Sequence, residues 1–268
     1  MTYKLMAVDI DGTLLNSLGE LTEETRKAIK SGIEGGLIFT ISTGRPLQGA
    51  EYLNEVLNLD LPYITYNGAM VIMGKSKEIL YEQNLSSEDA NRIIDLGEKY
   101  GTTIIIWADN KLFVTELNER VQKYKKISKV EPIVTGDLHK LIKAGVTKIL
   151  WYDEIVKIES FQSEIGKYLN DSVNFYTSRP MFLEFVDKKA SKAIAMEKLG
   201  EHFGIKRSEM IAVGDGYNDL SMIEYAGLGV AMANAKDAIK EKADFITLSN
   251  DEDGVAHVIN MFILNQFK

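Results

Sequence analysis

Short apolar runs alternate with longer amphipathic segments in the first part of the chain and again in its final third. The apolar runs predict buried strands at Leu5–Val8, Leu37–Ser42, Tyr63–Tyr66, Met210–Val213 and Leu228–Ala231. The amphipathic segments predict helices from Thr22 to Gly35, Pro46 to about Leu57, Ser191–Phe203, Asp219–Ala226, Ala235–Lys242 and Asp251–Leu264. Strands that alternate with helices indicate βα units, and hence an α/β fold with a parallel sheet.

Local signals mark the ends of two of these helices. Thr22 followed by Glu23 and Glu24 gives an N-cap and an acidic first turn, and the glycine pair that begins at Gly35 ends that helix. Pro46 suits the first turn of the next helix, where its missing N–H costs nothing.

The pattern changes near Gln83. From there to about Val186, two predicted helices are mixed with strands, at Ser87–Tyr100, Glu154–Leu169, Thr103–Trp107 and Lys148–Trp151. We interpret this segment as a second, inserted α+β domain. The predicted organisation is therefore a core formed by residues 1–82 and 188–268, with residues 83–187 inserted between its two parts.

Composition narrows the function classes. The 268 residues include 31 Lys and Arg against 39 Asp and Glu, a net charge of −8 without a long basic run, so a nucleic-acid partner is not expected. The chain has no cysteine, which excludes disulfides, thiolate metal ligands and cysteine nucleophiles and fits a reducing compartment. No apolar stretch reaches the length of a membrane span, and the first residues are not built like a signal peptide. We expect a cytoplasmic protein that has no membrane partner.

Any chemistry must rest mainly on carboxylates. The three histidines are far apart, and the chain contains neither the His-Glu-x-x-His pair of zinc hydrolases nor the Gly-x-Ser-x-Gly elbow of serine hydrolases. The most informative carboxylates are in Asp9-Ile10-Asp11-Gly12-Thr13, directly after the first predicted strand. An Asp-x-Asp pair alone means little, since Asp251 and Asp253 repeat it. The added Gly and Thr lie at the end of a strand, where α/β proteins bind ligands. A ligand-binding site is therefore a better interpretation than an ordinary turn.

A second acidic segment, Gly214–Asp219, follows another predicted strand. Its two carboxylates and one amide would by themselves form an ordinary helix N-terminus. Beside Asp9 and Asp11, however, they would repel one another unless a hard cation shared the site, and Mg²⁺ is the natural occupant.

Two further features would suit a phosphate group. Ser42-Thr43-Gly44-Arg45 places a hydroxyl and successive backbone N–H groups at a predicted helix start, although simple capping would explain them equally well. Lys192 lies near the start of its helix, and alone it would be expected to face solvent. Next to an acidic magnesium cluster, the hydroxyl and the lysine supply the donors and the positive charge that a transferring phosphoryl group needs.

In this order, the four segments resemble the motifs of the haloacid dehalogenase superfamily of phosphatases. They are most similar to its Cof-type branch, which has a type IIB cap and includes YidA-like sugar phosphatases. Three other segments share the resemblance, Thr65–Ala69, Phe182–Phe185 and Met222–Asn234. Ala193 departs from the pattern, because many relatives have Gly after the lysine. The resemblance implies a Rossmann-like core with an inserted cap.

The resemblance also implies roles for individual residues. Asp9 would be the nucleophile that takes the phosphoryl group, and Asp11 the general acid and then the general base. The phosphate would be held by Ile10 and Gly44 through their backbone amides, and by Thr43, Lys192 and Asn218. Magnesium would be bound by Asp9, by the backbone carbonyl of Asp11 and directly by Asp215, with Asp219 as a further ligand or as a supporting carboxylate just outside the ligands.

The resulting hypothesis is a Mg²⁺-dependent phosphatase that hydrolyses small phosphate monoesters, with sugar phosphates as the class that the resemblance implies. One alternative is a phosphomutase or phosphotransferase that uses the same aspartyl phosphate. Another is a phosphoacceptor signalling module, although the inserted domain would then have no purpose. Arg45, Asn67, Arg179 and Glu184 lie near predicted hinges or strand ends, and we do not assign them to the site.

Overall fold

The computed structural model describes residues 3–57 and 60–264, and the chain forms two compact units. Unit 1 comprises Met1–Gly44, Glu51–Tyr81 and Ser191–Lys268. Unit 2 comprises Arg45–Ala50 and Glu82–Ala190.

The strands and helices of the described residues are numbered in chain order. The strands are β1 (Leu5–Val8), β2 (Ile38–Ser42), β3 (Pro62–Thr65), β4 (Met70–Met73), β5 (Ile79–Glu82), β6 (Thr103–Ala108), β7 (Lys111–Val114), β8 (Ile133–Val134), β9 (Lys148–Tyr152), β10 (Val173–Arg179), β11 (Phe182–Asp187), β12 (Met210–Gly214), β13 (Leu228–Ala231) and β14 (Phe245–Ile246). The α-helices are α1 (Glu23–Glu34), α2 (Tyr52–Leu57), α3 (Ser87–Tyr100), α4 (Glu119–Ser128), α5 (Ile155–Glu164), α6 (Lys192–Phe203), α7 (Leu220–Tyr225), α8 (Asp237–Lys240) and α9 (Gly254–Phe262).

Unit 1 is built on an eight-stranded sheet in the order β14-β13-β12-β1-β2-β3-β4-β5. The pairs from β14 to β3 are parallel, and β4 runs antiparallel to β3. Val8, the last residue of β1, pairs with Val213 of β12 on one side and with Ile41 of β2 on the other. The residues that follow these three strands therefore emerge at the same edge of the sheet.

The central strand β1 is buried along its whole length, because helices cover both faces of a parallel sheet. Leu5 and Ala7 pack in one cluster with residues of α6 and α7, while α1 and α9 pack against each other. The α1 N-cap is the predicted one, since Thr22 accepts a hydrogen bond from the backbone N–H of Thr25. Gly35 ends the same helix.

Unit 2 contains a six-stranded sheet in the order β10-β11-β9-β6-β7-β8, antiparallel except between β7 and β8. Ile94 of α3 and Ile158 of α5 form an apolar cluster with sheet residues that include Trp151 and Phe185. Helix α4 contacts β6 through Tyr124, whose hydroxyl accepts a hydrogen bond from Trp107 Nε1 at 3.1 Å.

Helix α4 is absent from the sequence prediction. Its apolar stripe is too narrow to be visible as a pattern, because only Val121, Tyr124 and Ser128 of the helix are buried. Asn118 caps its start by accepting a hydrogen bond from the N–H of Val121. The local signals for this helix were therefore the cap, Glu119 in the first turn, and Lys125 and Lys126 in the last turn.

Two predicted helices are shorter in the structure. The helix expected from Pro46 is a 3-10 turn at Leu47–Gly49 followed by α2, with a break at Ala50, which has non-helical dihedral angles. The helix expected from Asp251 begins at Gly254, because Asp253 is left-handed with φ +59°. Local turn geometry, which the hydrophobic pattern does not report, set both boundaries.

The predicted helix Ala235–Lys242 is reduced to the four residues of α8. In the two stretches that the structure describes, no helix has both the length and the apolar character needed to cross a membrane.

Candidate active site

Four charged side chains of unit 1 meet at the sheet edge where β1, β12 and β2 end. Asp9 follows β1 directly, Asp215 follows β12, and Asp219 lies at the start of the helix after β12. Lys192 is the first residue of α6. Asp9 is far in sequence from Lys192 and from the pair Asp215 and Asp219, and the parallel topology brings them together.

Lys192 is the centre of this group. Its Nζ lies 2.6 Å from Asp9 Oδ1, 2.6 Å from Asp219 Oδ1 and 2.8 Å from the carbonyl oxygen of Ser42. The residue is only 1% exposed, so it does not face solvent as a lysine considered alone would be expected to do. An ammonium group has three donors, and all three have acceptors here.

Burial and mutual interaction shift the protonation equilibria of the group. Burial raises the pKa of Asp9 to about 7, with Lys192 opposing the shift and Asp219 adding to it. Burial acts to lower the pKa of Lys192, but its two carboxylate partners outweigh that effect and raise the pKa above its usual value. The lysine is therefore charged at neutral pH, whereas Asp9 takes up and releases protons near neutrality.

The other two carboxylates are held by neighbouring donors. Asp219 Oδ2 accepts hydrogen bonds from the backbone N–H groups of Asp215 and Gly216, at 3.1 and 2.8 Å. Asp215 Oδ1 accepts one from Thr13 Oγ1 at 2.8 Å. Burial raises the pKa of Asp215, and the Thr13 hydrogen bond works against that shift. Both side chains are thus fixed in place before any ligand binds.

The carboxylates form a donor set that fits a hard divalent cation. One oxygen each from Asp9, Asp215 and Asp219 lies within 4.8 Å of the others. All three ligand atoms are oxygens, which Mg²⁺ prefers, and Lys192 places its ammonium group against only two of the three carboxylates. The cluster therefore has a net negative charge that a cation can neutralise. Asp11, the fourth predicted metal ligand, has an exposed side chain outside this cluster.

Gly12 lets the first acidic loop approach the second. Its φ is +83°, and a Cβ at this position would lie 2.5 Å from Asp215 Oδ2. The Gly12 carbonyl accepts a hydrogen bond from Asn234 Nδ2 at 2.8 Å, and Asn234 Oδ1 accepts one from the N–H of Asn250. Asn234 supports this loop from a distant part of the chain, and the sequence analysis did not assign it such a contact.

The predicted phosphate-binding residues Thr43, Gly44 and Asn218 lie around one residue that the sequence analysis did not assign, Asn67. The N–H of Asn67 donates to the carbonyl of Thr43 at 3.0 Å, and Asn67 Oδ1 accepts from Asn218 Nδ2 at 3.3 Å. A Cβ on Gly44 would lie 2.9 Å from Asn67 Oδ1. The Asn-Gly pair after a predicted strand was the available sequence signal, since such pairs favour left-handed turns.

Ile10, the remaining predicted phosphate-binding residue, is fully buried beside Asp9. Its carbonyl accepts hydrogen bonds from the N–H groups of Leu14 and Leu15, both at 3.1 Å, which closes the loop after β1. Glu184 belongs to unit 2, where its Oε2 lies 2.9 Å from the buried Lys148 Nζ.

Comparison with known proteins adds a family assignment to this geometry. Residues 6–259 match a family model described as haloacid dehalogenase-like hydrolase. The chain is similar to the crystal structure of a haloacid dehalogenase-like hydrolase from Bacteroides thetaiotaomicron, with 36% identity, a TM-score of 0.85, and coverage of 97% of this chain and 99% of that one.

Two further similarities involve proteins whose names include a substrate. The chain is 33% identical over 263 residues to the 5-amino-6-(5-phospho-D-ribitylamino)uracil phosphatase YcsE of Bacillus subtilis (strain 168), covering 97% of this chain and 96% of that protein. It also resembles the structure of BT4131, described as a HAD subclass IIB sugar phosphatase, with 29% identity, a TM-score of 0.80, and coverage of 97% and 99%.

Proposed function

Because the chain belongs to the haloacid dehalogenase-like hydrolase family, we propose that it is a Mg²⁺-dependent phosphatase of small phosphate monoesters. The observation that carries this proposal is the buried Lys192, which contacts both Asp9 and Asp219 at 2.6 Å. A carboxylate held between an ammonium group and a cation-binding cluster can approach a phosphate dianion, which would otherwise repel it.

Magnesium would be held by the side chains of Asp9, Asp215 and Asp219, together with the backbone carbonyl of Asp11. Bound there, it would supply positive charge that offsets the repulsion between Asp9 and the phosphate and polarises the phosphoryl oxygens. Thr13 and the backbone N–H groups that contact Asp219 keep the ligand oxygens in place.

The proposed reaction has two steps, both at phosphorus. First, an Asp9 carboxylate oxygen bonds to phosphorus and the ester P–O bond breaks, while Asp11 donates a proton to the departing alkoxide. Second, Asp11 removes a proton from water, the water oxygen bonds to phosphorus, and the bond between phosphorus and Asp9 breaks. The products are an alcohol and inorganic phosphate, and both aspartates return to their starting state.

The remaining predicted residues would bind the phosphoryl oxygens. Thr43 offers a hydroxyl, Ile10 and Gly44 offer backbone N–H groups, and Asn218 offers its amide. All three Lys192 donors are engaged by protein acceptors, so this residue would act through its charge.

Sugar phosphates and similar polyhydroxylated esters are the substrate class that we propose. The support comes from the two relatives named for such substrates, a phosphoribitylaminouracil and a sugar phosphate. We propose residues 83–187 as a cap that excludes bulk water and selects the substrate by size.

The test is inorganic phosphate release from a panel of sugar phosphates, nucleotides and cofactor phosphates, with Mg²⁺ and with EDTA. We expect release by the wild-type protein with Mg²⁺ only, and none by Asp9→Asn. Asp251→Asn is the matched control, because Asp251 is in the other Asp-x-Asp pair and contacts Ser17. Interconversion of sugar phosphates without phosphate release would indicate a mutase, and a long-lived phosphoprotein without release would indicate a signalling module.

A further inference from the structure

Three consecutive residues at the end of β3 adopt left-handed backbone conformations. Tyr66 has φ +52°, Asn67 has φ +56° and Gly68 has φ +100°. A positive φ is uncommon for a residue with a bulky side chain, such as Tyr66. We call these three residues the left-handed turn. It lies in unit 1, at the edge of the sheet that also carries the acidic cluster.

The left-handed turn touches two of the elements proposed to bind phosphate. Its Asn67 N–H donates to the carbonyl of Thr43 at 3.0 Å, and the Asn67 amide lies against Gly44. A Cβ on Gly68 would lie 2.1 Å from the Ser191 carbonyl and 2.6 Å from the backbone nitrogen of Lys192. The turn therefore packs between the loop after β2 and the first residue of α6.

The third contact determines which way the Asn218 amide points. Asn67 Oδ1 accepts from Asn218 Nδ2, and a Cβ on Gly216 would lie 2.4 Å from Asn218 Oδ1. The nitrogen of Asn218 thus faces Asn67, and its oxygen lies on the side of Gly216. An amide nitrogen carries two hydrogens, so one can bind Asn67 while the other binds an anion.

We propose that Asn67 is a positioning residue for the phosphate group. It fixes the rotamer and the amide orientation of Asn218 so that a donor, and not the carbonyl oxygen, faces the anion beside Gly44. This inference rests on the proposed function, because the anion is the phosphate of the substrate. Without Asn67, the Asn218 amide can rotate and present its oxygen to the phosphate, which weakens binding.

The variant that isolates the side chain is Asn67→Gly, because glycine keeps the left-handed backbone. Asn110→Gly is the matched control, since Asn110 is also left-handed, with φ +53°, but lies in the β6–β7 turn of unit 2. We expect Asn67→Gly to raise KM and the inhibition constant of inorganic phosphate about tenfold, the effect of one hydrogen bond to a charged group. We expect kcat to change less than KM, because the contact is made before and during the reaction.

A double variant tests whether Asn67 acts through Asn218. If it does, Asn67→Gly combined with Asn218→Ala binds inorganic phosphate no more weakly than Asn218→Ala alone. Three results would each overturn the proposal: equal losses of phosphate affinity in Asn67→Gly and Asn110→Gly, an unchanged phosphate affinity in Asn67→Gly, or additive losses of phosphate affinity in the double variant. Calorimetric titration with inorganic phosphate in Mg²⁺ needs no turnover, so a failure of hydrolysis in the wild-type protein would be seen separately.

Discussion

Replacing Lys192 with methionine removes the one ammonium group that two buried carboxylates share. Lys192 contacts Asp9 and Asp219 at 2.6 Å each, whereas Lys148 in unit 2 makes a comparable buried contact to Glu184 at 2.9 Å. Removing one partner of a buried pair costs about 3–5 kcal/mol, because the other charge is left without compensation. We expect both Lys192→Met and Lys148→Met to lower the free energy of unfolding by about this amount.

The two variants should differ in their response to pH and Mg²⁺. A carboxyl group whose pKa is higher in the folded than in the unfolded protein stabilises the fold at low pH, and this stability is lost as the pH rises through the folded-state pKa. The pKa of Asp9 is already raised to about 7 with Lys192 in place. Loss of the lysine raises this pKa further. The loss of unfolding free energy in Lys192→Met, relative to the wild-type protein, should therefore grow from pH 6 to pH 8. Mg²⁺ should restore part of it, because a bound cation replaces the missing charge.

Urea unfolding measures these differences. The two tryptophans, Trp107 and Trp151, both lie in unit 2, so their fluorescence follows that unit, while far-ultraviolet circular dichroism follows both. A loss of about 3–5 kcal/mol lowers the urea midpoint by about 1 M or more. An unchanged midpoint of Lys192→Met at pH 8 without Mg²⁺, or an equal effect of Mg²⁺ on Lys192→Met and Lys148→Met, would show that the Lys192 charge does not stabilise the acidic cluster.

Three other perturbations have defined outcomes. Thr13→Val removes the hydrogen bond to Asp215 and should weaken Mg²⁺ binding about tenfold or more in a calorimetric titration, with no change in the number of sites. Because Mg²⁺ competes with the proton on Asp9, the measured Mg²⁺ affinity of the wild-type protein should increase with pH up to about pH 7, by up to about tenfold per pH unit, and then level off. Asp9→Asn should flatten this pH profile. Gly68→Ala places a methyl group 2.1 Å from backbone atoms and should cost about 3 kcal/mol or more in a denaturation experiment. Gly204→Ala, also left-handed but with open space around it, should cost only about 1 kcal/mol, and equal losses would show that packing against α6 is not the cause.

The acidic cluster was predictable because it depends on topology. Asp9 and Asp215 each follow an apolar run, and the carboxyl ends of neighbouring parallel strands lie at one edge of the sheet. The predicted α/β fold and the resemblance to the haloacid dehalogenase superfamily are both confirmed by the comparisons. The α1 N-cap at Thr22 was equally visible, because its signal is local.

Features that depend on tertiary contacts were not predictable in the same way. The burial of Lys192 follows from the packing of α6 against the sheet, and apart from the family resemblance the sequence around the lysine does not distinguish it from a surface residue. Asn67 reaches the site through a left-handed turn whose partners, Thr43 and Asn218, are distant in sequence. Helix α4 has too few buried positions for a helical period to stand out.

If Asp9 carries the phosphoryl group, chemical trapping of the acyl phosphate will identify this residue. The protein would be mixed with Mg²⁺ and the best substrate of the panel, quenched in acid, and reduced with borohydride, which converts an aspartyl phosphate to homoserine. Asp11→Asn would be treated in parallel with an aryl phosphate whose leaving group needs no proton from Asp11, because loss of the general base should then prolong the intermediate. We predict homoserine at position 9 in peptide mass spectra, at higher yield in Asp11→Asn. Homoserine at position 11 or 215, or phosphate release by Asp9→Asn at the wild-type rate, would show that Asp9 is not the nucleophile.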